Sequence, residues 1–166
     1  KIIPCINYAY ITKGNNNELD LANEHIIAMS LDNETDIRHQ FSSWNSNKPI
    51  IVNAGHFSDL LSIIGLSAVY KKSVYIFNID SKETMEIIID AKKSGLPISC
   101  GVQSNNLQNL EKYFSHIDCF YPINSDFKGS LNTILKYGVD TVTEKMYTNP
   151  RKIFNLIDIS ITCSNF

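Results

Sequence analysis

The strongest constraint on the fold is an alternation of short apolar runs with segments of helical periodicity. The runs are rich in β-branched and aromatic residues and therefore predict buried strands. Strands that are apolar on both faces and joined by helices are typical of a parallel α/β sheet. The predicted strands are 2–11, 25–31, 48–55, 74–79, 96–102, 117–123 and 157–164. The predicted helices are 36–44, 57–72, 81–95, 105–116, 130–139 and 142–156, the last interrupted before Pro150.

Two of these helices make testable packing predictions. In 57–72 the residues at helical spacing are Leu60, Leu61, Ile64 and Val69, and in 81–95 they are Met85, Ile88, Ile89 and Lys92. The second helix is predicted to begin after an Asp80 or Ser81 cap and to end at Gly95. The lysine pairs at 71–72 and 92–93 are predicted to be solvated.

Length limits the architecture. The chain has 166 residues, which fits one domain over 1–166. A complete (β/α)₈ barrel takes about 250 residues. We therefore expect an α/β chain, with a full barrel possible only if strands are missing or trimmed.

Composition excludes several classes of protein. The net charge of −2 disfavours a nucleic-acid binder, and no signal peptide or run of 18 apolar residues is present. We therefore predict a cytoplasmic protein without a membrane segment. Charged residues are only 19% of the chain, which hints at a surface covered by a partner. Cys5, Cys100, Cys119 and Cys163 form no C-x-x-C pair and are predicted to be buried, reduced thiols.

Asparagine stands where parallel α/β folds usually place their chemistry. Ligands bind at the carboxyl ends of the strands in such folds, and Asn53 and Asn78 lie near the carboxyl ends of two predicted strands. Amide oxygens are neutral, do not titrate near neutral pH and are weak ligands for zinc. The residues themselves thus predict no catalytic group, no metal and no cofactor at these strand ends.

Four segments, in order, resemble one family. They are "PIIVNAGH" (49–56), "KSVYIFNIDSKETMEIIIDAKKSGLPISCGVQSNNL" (72–107), "IDCF" (117–120) and "NPRKIFNL" (149–156). Together they are similar to the dihydroorotases of the amidohydrolase superfamily, above all to the dihydroorotase domain of the multienzyme proteins that begin pyrimidine synthesis. The resemblance covers most of residues 5–156 and implies a partial or degraded (β/α) TIM-type barrel whose first strands are missing or trimmed.

The family's metal ligands have no counterpart in this chain. The resemblance implies that Asn53 and Asn78 stand at ligand histidines, that Met29 falls near the bridging lysine and that Ile123 lies near the catalytic aspartate. Asn105 and Asn106 stand in the segment that is "PHHL" in the family. These six positions are accordingly interpreted as a degenerate former site, with no catalytic and no metal-binding residue.

The resemblance implies an architectural role. We expect a catalytically inactive scaffold or linker that supports carbamoyl phosphate synthetase, aspartate transcarbamoylase or both, either as a domain or as a separate subunit, and that forms a homo-oligomer. Two alternatives stay open. One is a regulatory module in which the asparagines bind a pyrimidine-like ligand. The other is a rewired amidohydrolase with a relocated metal site at His56 and Asp80 or Asp126.

Overall fold

Six parallel strands form one sheet in the computed structural model, which describes residues 8–11, 26–29, 37–45, 47–53, 57–121 and 127–155. The strands follow one another in the sheet in the same order as in the chain. They are β1 (Tyr8–Ile11), β2 (Ile26–Met29), β3 (Ile50–Asn53), β4 (Val74–Phe77), β5 (Ile98–Gln103) and β6 (Cys119–Tyr121).

Helices connect the strands from β2 to β6, as the alternating pattern predicts. They are α1 (Ile37–Ser43), α2 (Phe57–Tyr70), α3 (Lys82–Lys93), α4 (Leu107–Leu110), α5 (Phe127–Tyr137), α6 (Val139–Thr143) and α7 (Asn149–Ile153). Tight 3₁₀ turns at Ser104–Asn106 and Glu111–His116 flank α4, so the helix predicted at 105–116 is regular only in its centre. The strand predicted at 157–164 lies outside the described residues.

The strand order selects a barrel-type sheet over a doubly wound one. A doubly wound sheet reverses its strand order at a switch point, whereas a (β/α) barrel adds each strand beside the previous one. Here every neighbouring pair is consecutive and parallel. Within the described residues β1 and β6 remain edges, so the sheet is a partial barrel, as the sequence predicts.

Two apolar clusters cover the two faces of this sheet. The larger packs α1, α2 and α3 against side chains such as Val52, Ile76 and Val102. The smaller lies on the opposite face and contains Ile51, Tyr75, Cys119 and Phe154. Because side chains alternate along a strand, residues of the second set are those that would point into a barrel.

The predicted limits of α3 are confirmed. Ser81 caps the helix, its Oγ accepting a hydrogen bond from the Thr84 backbone N–H at 3.2 Å. Gly95 follows the helix with φ +79°, the left-handed conformation typical of a C′ glycine. Met85, Ile88 and Ile89 are buried on one face, as predicted.

Two other helix predictions are wrong in part. In α2 the buried positions are Leu60, Ile63 and Ser67, whereas Leu61 and Val69 are 48% and 73% exposed. The helix predicted at 142–156 is not interrupted before Pro150. It continues through a π-helical turn at Glu144–Thr148 and then α7, and the wide turn accommodates Pro150, which lacks the N–H that an α-helix would bond to the carbonyl four residues earlier.

None of the helices in the described part of the chain is both long and apolar enough to cross a lipid bilayer.

Candidate functional site

The carboxyl ends of β3 and β4 place two predicted site residues side by side. Asn53 ends β3 and pairs in register with Phe77, so Asn78 lies one position further along the neighbouring strand. Asn78 has φ +64°, a left-handed conformation that asparagine tolerates better than most residues. The chain therefore turns sharply at the point where a barrel enzyme would present a ligand.

A small polar cluster forms around this turn, and we call Asn78, Asn106 and Tyr121 the amide cluster. Asn106 Nδ2 donates to Asn78 Oδ1 at 3.5 Å and to the Ile79 carbonyl oxygen at 3.3 Å. The Asn78 backbone N–H donates to Tyr121 Oη at 2.8 Å. These groups satisfy one another across three strands, and none of them carries a charge.

Tyrosine rings fill the space beneath this cluster, on the sheet face opposite to α1–α3. A Cβ atom added to Gly101 would lie 2.0 Å from Tyr75 Oη and 2.7 Å from Tyr121 Cε1. Only a glycine on β5 therefore lets both rings lie against the sheet. Tyr75 also packs edge-on against Phe154, with ring centroids 4.8 Å apart.

Burial keeps the acids of this face protonated. It raises the pKa of Tyr75 and of Tyr121, and it raises the pKa of the Cys119 thiol to about 12. A thiol with so high a pKa is not a thiolate near neutral pH and is a poor metal ligand or nucleophile. The prediction of buried, reduced cysteines is confirmed for Cys100 and Cys119.

Of the remaining predicted site residues, Met29 lies at the same edge of the sheet as Asn53, because it pairs in register with Val52. Met29 ends β2, and Asn105 is exposed in the 3₁₀ turn after β5. Ile123 lies outside the described residues, as do His56 and Asp126 of the alternative metal site. Asp80, the third member of that alternative, is exposed.

The donor set at the strand ends does not fit the two zinc ions that the family resemblance implies. Among the residues that the structure describes, no three His, Cys, Asp or Glu side chains are grouped closely enough to hold a metal ion. The described polar groups at the strand ends are amides and a phenol that hydrogen-bond to protein atoms. Zinc prefers thiolate, imidazole and carboxylate, so this arrangement is a poor zinc site.

A charged cluster that the sequence did not predict lies at the other end of the sheet. We call Lys92, Asp118, Asn149 and the Cys100 backbone N–H the Asp118 network. Asp118 Oδ2 accepts hydrogen bonds from Lys92 Nζ and, at 2.7 Å, from the Cys100 N–H. Lys92 Nζ also donates to the His116 carbonyl oxygen at 2.9 Å, and Asn149 Nδ2 to the Asp118 carbonyl oxygen at 2.9 Å.

This network joins α3, β5, the start of β6 and α7, which are the segments that carry the family motifs. The prediction that Lys92 is solvated is wrong, because the side chain is half-buried in an ion pair. The available signal was its helical spacing with Met85, Ile88 and Ile89, since a lysine on a buried face needs a partner. The prediction holds for Lys93, whose ion pair with Asp90 is exposed.

A second lysine supports the same end of the sheet. Lys145, in the π-helical turn, is buried and donates to the Ile117 carbonyl oxygen, with Nζ 5.1 Å from the centre of the Phe114 ring. Burial lowers its pKa. Lys145 and Asn149 of the C-terminal helices thus fix the start of β6 together with Lys92 of α3.

Known proteins resemble the chain in sequence. It is 26% identical over 163 residues to the multifunctional protein pyrABCN of Emericella nidulans, covering 75% of this chain and 7% of that protein. It is 24% identical over 184 residues to the multifunctional protein CAD of Squalus acanthias, covering 81% of this chain and 8% of that protein. The chain therefore spans less than a tenth of the length of these relatives. No family model matches it.

Solved structures share the fold. The inactive dihydroorotase-like domain of a CAD-like multifunctional protein from Chaetomium thermophilum superposes with a TM-score of 0.76 at 20% identity, covering 91% of this chain and 59% of that one. The L-hydantoinase (dihydropyrimidinase) of Arthrobacter aurescens gives a TM-score of 0.52 at 12% identity, covering 83% and 45%. The predicted resemblance to dihydroorotase-like domains of pyrimidine-synthesis multifunctional proteins, and with it the partial-barrel fold class, is confirmed.

Proposed function

We propose that this chain is a catalytically inactive dihydroorotase-like domain that acts as a structural element of a pyrimidine-synthesis assembly. Its expected neighbours in that assembly are carbamoyl phosphate synthetase and aspartate transcarbamoylase. The observation that carries the proposal is the amide cluster, because it occupies the strand ends where a barrel hydrolase needs metal ligands. The likeness to a domain described as inactive supports the same conclusion.

Absence of activity follows from what the strand ends can do chemically. Hydrolysis or closure of an amide ring needs an activated water, which these enzymes obtain by lowering its pKa to about 7 on a bound metal. The side-chain amides of Asn78 and Asn106 hydrogen-bond to each other, and the Asn106 amide also donates to the Ile79 carbonyl oxygen. The Tyr121 hydroxyl accepts from the Asn78 N–H, and its raised pKa disfavours the phenolate that a general base would need. In this proposal Met29, Asn53, Asn78, Asn105, Asn106 and Ile123 are the degenerate positions of a former site.

The first experiment measures metal content and dihydroorotase activity together on the full-length natural polypeptide. An active dihydroorotase assayed in parallel serves as the positive control for both ring closure and ring hydrolysis. We expect no stoichiometric zinc and no turnover. Bound zinc with turnover would overturn the proposal, and loss of both on His56→Ala would assign the relocated metal site instead.

A second experiment tests the structural role by itself. The full-length polypeptide, or the tagged chain if it is a separate subunit, is mixed with carbamoyl phosphate synthetase and aspartate transcarbamoylase, and complexes are sized by light scattering. We expect a stable complex with at least one of them. A chain that binds neither would contradict the scaffold role while leaving the inactivity intact.

The alternative of a pyrimidine-binding regulatory module stays a prediction. A ligand at this site would have to replace the contact between Asn106 and Asn78, which are already paired. A rise in the melting temperature with orotate or dihydroorotate, lost in Asn106→Ala, would favour it. We expect no such rise.

A further inference from the structure

Two tyrosine rings lie on the sheet face that would point into a barrel, and we call Tyr75 and Tyr121 the tyrosine pair. Tyr121 ends β6, and its hydroxyl oxygen accepts a hydrogen bond at 2.8 Å from the Asn78 N–H, just beyond the end of β4. Because β5 lies between β4 and β6, the Tyr121 side chain crosses the inward face of β5. A side chain of the protein therefore lies at the sheet edge where a (β/α) barrel usually binds its ligand.

The tyrosine pair is tightly packed. Gly101 of β5 makes room for both rings, since a Cβ atom there would lie closer to each of them than real atoms approach. Tyr75 is only 5% exposed, and Phe154 packs edge-on against it. Cys119, on the same face, is also buried. The described residues thus hold the two rings against the sheet.

We propose that the tyrosine pair is a steric barrier that keeps six-membered-ring ligands away from the strand ends, independently of the missing metal ligands. The Tyr121 ring occupies a compartment of its own size, and its hydroxyl takes the hydrogen bond that the Asn78 N–H would offer to a ligand oxygen. Restoring metal-binding side chains would leave this compartment filled. The inference rests on the proposed function and deepens it by naming the class of ligand that the site excludes.

Ordinary barrel packing does not account for this arrangement. Barrel interiors are filled mainly by layers of branched aliphatic side chains, and the polar groups at the carboxyl end serve the ligand. Here a phenol lies at that end, and its hydroxyl satisfies a backbone N–H of the strand-end turn at Asn78. A ligand that displaced Tyr121 would uncover Tyr75 and deprive the N–H of its acceptor, and both changes cost free energy.

The main test removes the Tyr121 ring and offers a free ring in its place. Tyr121→Ala leaves a ring-sized gap, and the probe is p-cresol, which has the atoms of a tyrosine side chain. The readout is the thermal transition of the full-length natural polypeptide that this variant lowers. With a dissociation constant of about 1 mM, about 10 mM p-cresol should raise that melting temperature by about 4 °C and leave the wild type unchanged.

Tyr147→Ala is the matched control, because it removes a ring that is 51% exposed and should leave no compartment behind. Tyr121→Leu is the second variant. It fills part of the gap, so it should fold more stably than Tyr121→Ala and respond to p-cresol by about half as much. A folded Tyr121 variant without any response, or an equal response of the wild type or of Tyr147→Ala, would overturn the proposal.

Two further comparisons test the shape and the polarity of the compartment. Adding Gly101→Ala to Tyr121→Ala puts a methyl group where the ring lay, so the response to p-cresol should be lost. Toluene lacks the hydroxyl and leaves the Asn78 N–H unpaired, so it should bind about threefold more weakly than p-cresol. Tight binding of both rings to the double variant would place them elsewhere and overturn the proposal.

Dihydroorotate separates this barrier from the proposed inactivity. We expect the wild type neither to bind it nor to turn it over. Binding without turnover would overturn the barrier and leave the inactivity standing. Turnover by a wild-type chain whose Tyr121→Ala variant still takes up p-cresol would instead overturn the inactivity, because the reaction would then take place at a site that the tyrosine pair does not cover.

Discussion

The two ends of the sheet use different chemistry. At the amino end, the Asp118 network is charged and ties together four elements that are distant in the chain. At the carboxyl end, the amide cluster is neutral and its contacts are fewer and longer. In an active barrel enzyme the charged groups concentrate at the carboxyl end, where the reaction takes place. Here the half-buried ion pair instead lies at the amino end, the end of such a barrel that serves stability.

Alkaline pH should produce the largest loss of stability, and it acts through the buried acids. Burial raises the pKa of Cys100 to about 11 and that of Cys119 to about 12. Above pH 9 the unfolded chain loses these protons while the folded chain keeps them, so stability falls as pH rises. We expect a loss of about 2 kcal/mol per thiol by pH 11, read from urea unfolding at pH 7, 9, 10 and 11.

Cys119→Ala is the variant that isolates this effect. It should be less stable than wild type at pH 7, because a buried side chain is shortened, yet lose less stability between pH 9 and pH 11. An unchanged pH slope in this variant would mean that Cys119 ionises equally in the folded and unfolded chains.

Asp118→Ala should have the next largest effect. It leaves the Cys100 N–H without its acceptor and Lys92 without its counter-charge, which we expect to lower the free energy of unfolding by about 3 kcal/mol. The matched control is Asp90→Ala, which breaks the exposed pair with Lys93 and should change stability by less than about 0.5 kcal/mol. Equal effects in urea denaturation would show that the Asp118 network is no stronger than a surface pair.

Tyr121→Phe tests the carboxyl end with a smaller change. The ring stays, but the Asn78 N–H loses its acceptor, so we expect a loss of about 1 kcal/mol. Tyr147→Phe is the control. The exposed Tyr147 hydroxyl accepts a hydrogen bond from Arg151 at the surface, so removing it should lower the free energy of unfolding by less. If Tyr121→Phe destabilised the chain as much as Asp118→Ala, the contrast between the two ends would fail.

The smallest effect is expected at Asn78 itself. Asn78→Gly removes the contact with Asn106 but suits φ +64°, so the two changes should cancel to within about 0.5 kcal/mol. Asn78→Ala loses the contact with Asn106 and does not suit the left-handed conformation, so it should lower the free energy of unfolding by about 1 kcal/mol. Thermal unfolding distinguishes them, and an Asn78→Gly variant as unstable as Asn78→Ala would assign the amide contact the larger role.

The strands and the type of sheet were predictable because apolar runs and periodicity report burial directly. The helix predicted at 57–72 exists, but its pattern also assigns Leu61 and Val69 to the buried face, since an apolar residue on an uncovered surface looks the same in sequence as one in a core. Asn78 could be placed at a strand end, whereas its pairing with Asn106 depends on how β4 and β5 align. The ion pair between Lys92 and Asp118 spans 26 positions and leaves no local pattern.

The π-helical turn at Glu144–Thr148 determines how the C-terminal helix that follows it is rotated about its own axis. Lys145 lies within it and Asn149 directly after it, and both side chains donate to carbonyl oxygens just before β6. A π turn holds about one residue more than an α turn, so it changes the phase of everything that follows. If the same residues formed an ordinary α-helix, Asn149 would be rotated around the helix axis by about 100°, the angle of one α-helical residue, away from Asp118. The wide turn therefore works as an angular spacer that keeps the C-terminal helix in phase with the sheet.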